Sequence, residues 1–416
     1  MMKFYIHTLG CKVNLYESGV IRDILLNEKY EETDEENADV IIINTCSVTN
    51  TADHKSKKAI QGAKRKNKDA ILVVMGCFSQ VNEDIQKDLD VDVVLGNKDK
   101  TKIISYINEA IQKKRIVHIE DVSKIPFETM KLNNFNKTRA FVKIEDGCDN
   151  YCSYCIIPYT RGNVRSKKKQ DVINEVIDLV SAGHKEVVLT GIHTGHYIDG
   201  NYKFYDLLKD LVKVKGLERL RISSIEMNEI TDEIIELFKN NTILVDHLHI
   251  PLQSGSDEIL KRMNRKYNKR DFIEKIEKIR KVRPLISITT DVIVGFPGET
   301  DELFKETIDT IKKIKFSKIH VFPFSRRKGT PADLMKDQVD EKVKKQRVHE
   351  LLDLSKKLEI EYMTKFLGKE LTYIKEIEKD GFFIGHTGNY LQVKTKEPEK
   401  VLIEKIEYPY IIGGKV

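Results

Sequence analysis

Over the first hundred positions, short apolar runs alternate with stretches of helical periodicity. The runs are Lys3–Gly10, Asp39–Thr45, Ala70–Gly76 and Asp92–Gly96. Apolar segments this short, bounded by polar residues or glycine, read as strands buried on both faces. Asn14–Asn27 and Thr51–Lys66 read as the helices that cross between them, so a parallel sheet is expected. A polar, irregular connection spans Asp121–Lys137. A second alternating series follows, with strands at Ala140–Asp146, Glu186–Gly191, Arg219–Ile225, Leu248–Ser254, Ile286–Gly295 and Lys318–Phe324. Six strand–helix units in roughly 200 residues fit a partial (β/α)6 barrel, because a closed eight-fold barrel needs more chain. A charged amphipathic helix, about Glu341–Phe366, ends that series. Leu371–Ile377, Phe382–His386, Tyr390–Lys394 and Val401–Tyr408 are short, strand-like and punctuated by glycine, which fits a small β-barrel. The expected class is therefore α/β, in three domains: 1–120, 135–365 and 367–416. Each is expected to have its own core.

Composition changes this picture little. The chain of 416 residues is 40% hydrophobic and 33% charged. Its most continuous apolar runs are far too short to span a bilayer. The opening MMKFYIHTLG lacks the basic and apolar regions of a signal peptide. A cytoplasmic location with no membrane partner is expected. The net charge of +6 permits nucleic-acid binding without requiring it. Three segments concentrate the cations: Lys55–Lys68, Arg161–Lys169 and Arg326–Lys328. By contrast, 367–416 holds eight Lys and eight acidic residues. That domain cannot hold RNA by bulk attraction. Phosphate contacts must come from the basic segments, while Phe382, Phe383 and Tyr390 could offer stacking or simply pack a core.

The strongest chemical signal is Cys148-Asp-Asn-Tyr-Cys152-Ser-Tyr-Cys155, just after the first strand of the second series. Three thiolates on one loop can hold three irons of a [4Fe–4S] cluster and leave the fourth open. A structural zinc site would need a fourth ligand, and no Cys or His follows closely. The other cysteines, Cys11, Cys46 and Cys77, each follow a strand of the first series. They fall on the carboxyl edge of one parallel sheet, where such folds bind ligands. Three thiolates meeting there could hold a second cluster; three independent core thiols are the alternative.

The cysteine loop on a barrel resembles the radical S-adenosylmethionine superfamily. Thr8-Leu-Gly-Cys11-Lys-Val-Asn14-Leu-Tyr-Glu17-Ser18, Asn44-Thr-Cys46, Met75-Gly-Cys77 and the Cys148 loop together resemble the methylthiotransferases, over essentially the whole chain. Gly-Cys11-Lys-Val-Asn14, with Gly385-His-Thr-Gly388-Asn389-Tyr390, looks like the branch acting on N6-threonylcarbamoyladenosine beside the tRNA anticodon.

The resemblance implies an N-terminal domain with an auxiliary [4Fe–4S] cluster, a radical core and a C-terminal TRAM RNA-binding barrel. Cys148, Cys152 and Cys155 would ligate the catalytic cluster, which cleaves S-adenosylmethionine. Cys11, Cys46 and Cys77 would ligate the second, which presents sulfur for methylthio transfer to adenine position 2. Tyr154, Thr190, Gly191 and Gly295 are expected near S-adenosylmethionine. Ser223, Glu226, Gln253 and Arg265 are expected in cofactor or substrate binding. Expected partners are tRNA at its anticodon loop, an electron donor such as flavodoxin or ferredoxin, and a sulfur source. The competing readings are a methylthiotransferase of isopentenyladenosine tRNA or of a ribosomal-protein aspartate, and a non-catalytic RNA-binding iron–sulfur protein.

Overall fold

The computed structural model describes residues 1–88, 90–133 and 138–416. The end of the expected connection, 134–137, with the expected domain start at 135, lies outside the described residues. The N-terminal strands are β1 (Lys3–Thr8), β2 (Glu31–Glu32), β3 (Val40–Thr45), β4 (Ile71–Gly76), β5 (Val93–Leu95) and β6 (Ile116–His118). All pair in parallel, in the order β2-β1-β3-β4-β5-β6. The edge strands β2 and β6 were not expected. Neither is buried on both faces, as an edge strand need not be.

The central strands are β7 (Arg139–Lys143), β8 (Glu186–Thr190), β9 (Arg219–Ile222), β10 (His247–His249), β11 (Ser287–Val294) and β12 (Lys318–Pro323). They form two parallel three-stranded sheets. A parallel bridge from Leu220 to Leu244 and a bond from Ile225 N to His249 O join the sheets into one open barrel of six strands. The strand expected over Leu248–Ser254 ends at His249, and the chain pairs again with β11 only at Gln253, which has a φ of 63° and bridges Val292. The long helix Glu341–Thr364 packs on β12 and leads into the last domain.

That domain is a closed barrel of β13 (Glu370–Lys379), β14 (Phe382–Thr387), β15 (Gln392–Thr395), β16 (Lys400–Glu407) and β17 (Tyr410–Gly414). The strand expected from Tyr390 begins only at Gln392. Tyr390 sits in a turn with a φ of 67°, and its ring stacks both on His386 of its own barrel and on His247 of the central one. The fifth strand, unforeseen, is what closes it.

The N-terminal sheet has cores of its own on both faces, yet helix α1 (Lys12–Asn27) does not belong to them alone. Its Tyr16 and Val20 pack into the core of the central barrel. Tyr16 Oη lies 2.8 Å from both Met130 O and Glu175 Oε1, and Leu132 N donates to the same carboxylate at 2.7 Å. The described part of the connection is thus strapped into the interface, with Met130 and Leu132 buried. Its polar composition concealed those two anchors. Among the described residues, no helix is long and apolar enough to cross a membrane.

Candidate functional site

Gly147 turns the chain out of the first barrel strand with a φ of 87°, and Cys148 N bonds Gly162 O at 2.9 Å. The cysteine loop therefore folds over the carboxyl end of the barrel. Ser153 N and Oγ bond Met263 O and Arg262 O, at 3.0 and 2.8 Å, and Cys155 N bonds Cys152 O at 2.9 Å. Burial and the adjacent Cys152 push the Cys155 thiol up to about 12. Burial also raises Cys148. Such thiols keep their protons until a metal displaces them. Arg265 Nη1 lies 3.4 Å from Cys152 Sγ, and its other Nη pairs with Glu226. A cavity of about 290 Å³ lies here, lined by Cys152, Glu226, Arg265, His193 and Glu229 among others.

The second set assembles at the carboxyl edge of the N-terminal sheet. Cys11, Cys46 and Cys77 follow β1, β3 and β4, three adjacent strands. Gly10 lets two of these turns approach: a Cβ there would lie 2.7 Å from Cys46 Cβ. Burial and the neighbouring Cys77 thiol push Cys46 up to about 12. Asn97 Nδ2 lies 3.6 Å from Cys77 Sγ and donates to Thr160 O at 2.8 Å, reaching across to the cysteine-loop segment.

One buried ion network ties the two sets together. Arg161 Nη1 donates to Glu17 Oε1 and Asp146 Oδ1, both at 3.0 Å, and its Nη2 donates to Asn14 Oδ1 at 2.8 Å. Lys143 Nζ bonds Glu17 at 2.9 Å and Asp146 at 2.8 Å, and Lys100 completes the pairing of Glu17. Asn14 lies one turn after Cys11, and Asp146 lies two residues before Cys148. Arg161 and its neighbours hold the Glu17 and Asp146 carboxyls well below their ordinary values, against the opposing effect of burial.

The other expected site residues fall into two groups. Glu226 and Arg265 join Cys152 at the cavity. Tyr154 packs edge-on against Phe296, 6.5 Å between ring centres. Thr190 and Ser223 are buried at strand ends, and Gly191 lets its backbone pass Glu145, whose Oε2 would lie 2.7 Å from a Cβ. Gln253 donates its N–H to Asp291 O at 2.8 Å. Gly295 makes room for the Lys344 side chain of the long helix, while its N–H bonds Glu299 at 2.6 Å.

Several residues of the site escaped sequence reasoning. His193 Nδ1 lies 3.7 Å from Cys148 Sγ, its ring stacks on His196 at 3.8 Å, and its Nε2 pairs with Glu229. The run Gly191-Ile-His193-Thr-Gly-His196 at a strand end was the available signal. Two basic runs also changed meaning. Arg161 and Lys167 are buried, and Arg327 bonds Ser47 and Asp53, each at 2.8 Å. The run on helix Asn50–Lys66 keeps an exposed basic face, at Lys55, Lys57, Lys58 and Arg65, and Lys168, Lys169 and Lys328 are exposed in the other two.

Comparison with known proteins agrees with this geometry. The family profile described as "Radical SAM superfamily" matches residues 142–311, and "Uncharacterized protein family UPF0004" matches residues 3–96. Threonylcarbamoyladenosine tRNA methylthiotransferase MtaB of Bacillus subtilis is 45% identical, covering 98% of this chain and 95% of that protein. The protein of that name from Thermotoga maritima is 42% identical over 89% of this chain and 86% of its own length. A tRNA-2-methylthio-N(6)-dimethylallyladenosine synthase of Clostridium tetani is 37% identical over 85% and 81%. Among solved structures, the radical S-adenosylmethionine methyltransferase TsrM of Kitasatospora setae superposes with a TM-score of 0.59 at 13% identity, covering 80% of this chain and 77% of that one. This last likeness concerns the fold alone. The superfamily match brings with it a [4Fe–4S] cluster and S-adenosylmethionine. With identity this high along almost its entire length, the chain belongs to the radical S-adenosylmethionine methylthiotransferase family.

Proposed function

We propose that this chain converts N6-threonylcarbamoyladenosine in tRNA to its 2-methylthio derivative. Cys148, Cys152 and Cys155 hold one [4Fe–4S] cluster, and Cys11, Cys46 and Cys77 hold a second. One observation carries the reading: six cysteines divide into two sets of three at two strand edges, and one arginine network joins the edges. The donor chemistry fits. Each set is all thiol, and each faces a guanidinium, Arg161 or Arg265, suited to the negative charge of a thiolate-bound cluster. When bound, these groups supply an electron, hydrogen-abstracting power and a methylated sulfur.

The chain's own residues hold and shield that chemistry. Arg265 neutralises Cys152 and fixes Glu226 at the cavity, where Tyr154 and Gln253 complete the surroundings of S-adenosylmethionine. Thr190, Gly191, Ser223 and Gly295 shape its strand-end floor. The exposed cations of helix Asn50–Lys66 supply phosphate contacts that the neutral C-terminal barrel lacks. An electron donor and a sulfur source complete the partners, in the cytoplasm where tRNA is modified.

Mass spectrometry of tRNA nucleosides, from cells with and without this chain, tests the proposal. The 2-methylthio derivative of N6-threonylcarbamoyladenosine should appear only with it. A change in the isopentenyl derivative instead would assign the other branch.

Arg265 offers a finer test. Hydrogen bonds and positive charge at a cluster sulfur raise its reduction potential. Arg265→Leu is expected to lower that potential by about 60 mV, the one-electron equivalent of one charge-assisted hydrogen bond. Arg265→Lys should recover part of the drop in an EPR-monitored redox titration.

A further inference from the structure

Below the clusters, the open barrel has a polar lumen that the mechanism above leaves unused. Arg221, on β9, is 1% exposed. Its Nε and one Nη donate to Glu186 at 2.6 and 3.3 Å, and its remaining Nη has no partner among the described residues. His247, on β10, is also buried. Its Nε2 faces Thr289 Oγ1 at 3.0 Å, and its Nδ1 has no partner among the described residues. Tyr390 reaches in from the C-terminal barrel. Its ring stacks on His247 with 4.8 Å between centres and lies 4.8 Å from the Arg221 guanidinium carbon.

Lys12, one residue after Cys11, is half-buried. It lies within electrostatic reach of Arg221, His247 and Tyr390. Among the described residues, neither a hydrogen bond nor an ion pair takes its ammonium. An enclosed polar donor without a partner is costly, and an enclosed cation more so. Here the free Arg221 Nη, the half-buried Lys12 ammonium and His247 Nδ1 (the donor when Nε2 accepts from Thr289) converge, and the nearby acids are already taken, Glu186 by Arg221 and Glu376 by Arg139 and His386.

We infer that Lys12, Arg221 and His247 form a carboxylate-binding subsite in the barrel lumen, which selects the substrate adenosine by the carboxylate of its threonylcarbamoyl group. The inference rests on the proposed function. The N6 substituent is where that substrate differs from an isopentenyl adenosine, and its carboxylate is the feature a cationic pocket reads. A neutral substituent would leave all three donors without partners, so the pocket rejects it as well as favouring its ligand. Lys12 adjoins a cluster ligand, so a carboxylate held there places the adenine beside the N-terminal thiols.

The test uses two anticodon stem-loops, one with N6-threonylcarbamoyladenosine and one with its carboxylate converted to the neutral carboxamide. The full-length, cluster-reconstituted protein should prefer the carboxylate by about tenfold to a hundredfold in kcat/KM, the worth of a charge-assisted hydrogen bond. Lys12→Gln should bring that ratio close to one, and Lys12→Arg should restore most of it. His247→Phe keeps a ring for Tyr390 to stack on and should also collapse the ratio. It decides the matter if Lys12→Gln loses iron. Equal rates on both stem-loops with the unaltered protein would overturn the subsite and leave the proposed function standing. So would a Lys12→Gln variant slowed equally on both, or one that only raises the S-adenosylmethionine requirement. Product on neither stem-loop would overturn the proposed function itself.

Discussion

Conversion of Cys148, Cys152 and Cys155 together to alanine is expected to end reductive cleavage of S-adenosylmethionine and to remove about half of roughly eight irons per chain. The three lie on one loop at the barrel end, where burial raises Cys148 and Cys155 so that a metal must displace their protons. The matching variant of Cys11, Cys46 and Cys77 should lose the other half of the iron. It should still cleave S-adenosylmethionine and make no methylthiolated adenosine. Iron and 5′-deoxyadenosine assays on both variants read the result. Unchanged iron in the first, or full product from the second, would refute the assignment of two clusters.

The second large effect concerns Glu17. This carboxylate is 1% exposed and takes bonds from Lys100, Lys143 and Arg161. Glu17→Ala strands three enclosed cations with too few anions. Removing one partner from a buried ion pair costs about 3–5 kcal/mol, so a fall of that order in unfolding free energy is expected. Denaturant melts of the cluster-free protein would measure it; a loss under about 1 kcal/mol would mean that water reaches the network. The same network sets an acid limit. Glu17 and Asp146 titrate below their ordinary values of 4.5 and 3.8. The stability they contribute is complete above those values and drains away as pH falls through the lowered folded ones. The interface is therefore expected to loosen only under strong acid, at low rather than high pH.

Much of this was legible in the chain. The runs ending at Thr45 and Gly76 betray buried parallel strands, because a strand covered on both faces must be apolar throughout. With the runs ending at Gly10 and Asp146, they place all six cysteines just past strand ends. What stayed hidden was long-range and polar. Arg161 and Lys167 sit in a basic run that reads as a solvated face; Arg161 is neutralised by Glu17, 144 positions earlier, and Lys167 by Glu175 on the helix that follows. Tyr390 reads as a strand residue, and its place under another domain depends on a turn with positive φ. Edge strands β2 and β6 lack the double burial that makes a strand visible. The connection was judged by its polar residues, whereas its position is fixed by Met130 and Leu132.

The arginine bridge between the two thiol sets has a consequence for how tRNAs compete. With Asn14, Glu17, Asp146 and Arg161 buried and bonded to one another, the spacing between the two thiol sets is set by the protein and not by the incoming base. The RNA must do the deforming: an anticodon loop has to unstack and extrude its adenosine far enough to fill a slot that will not come to meet it. Preference among tRNAs then follows the stiffness of each loop, and a loop that already splays its base is served fastest.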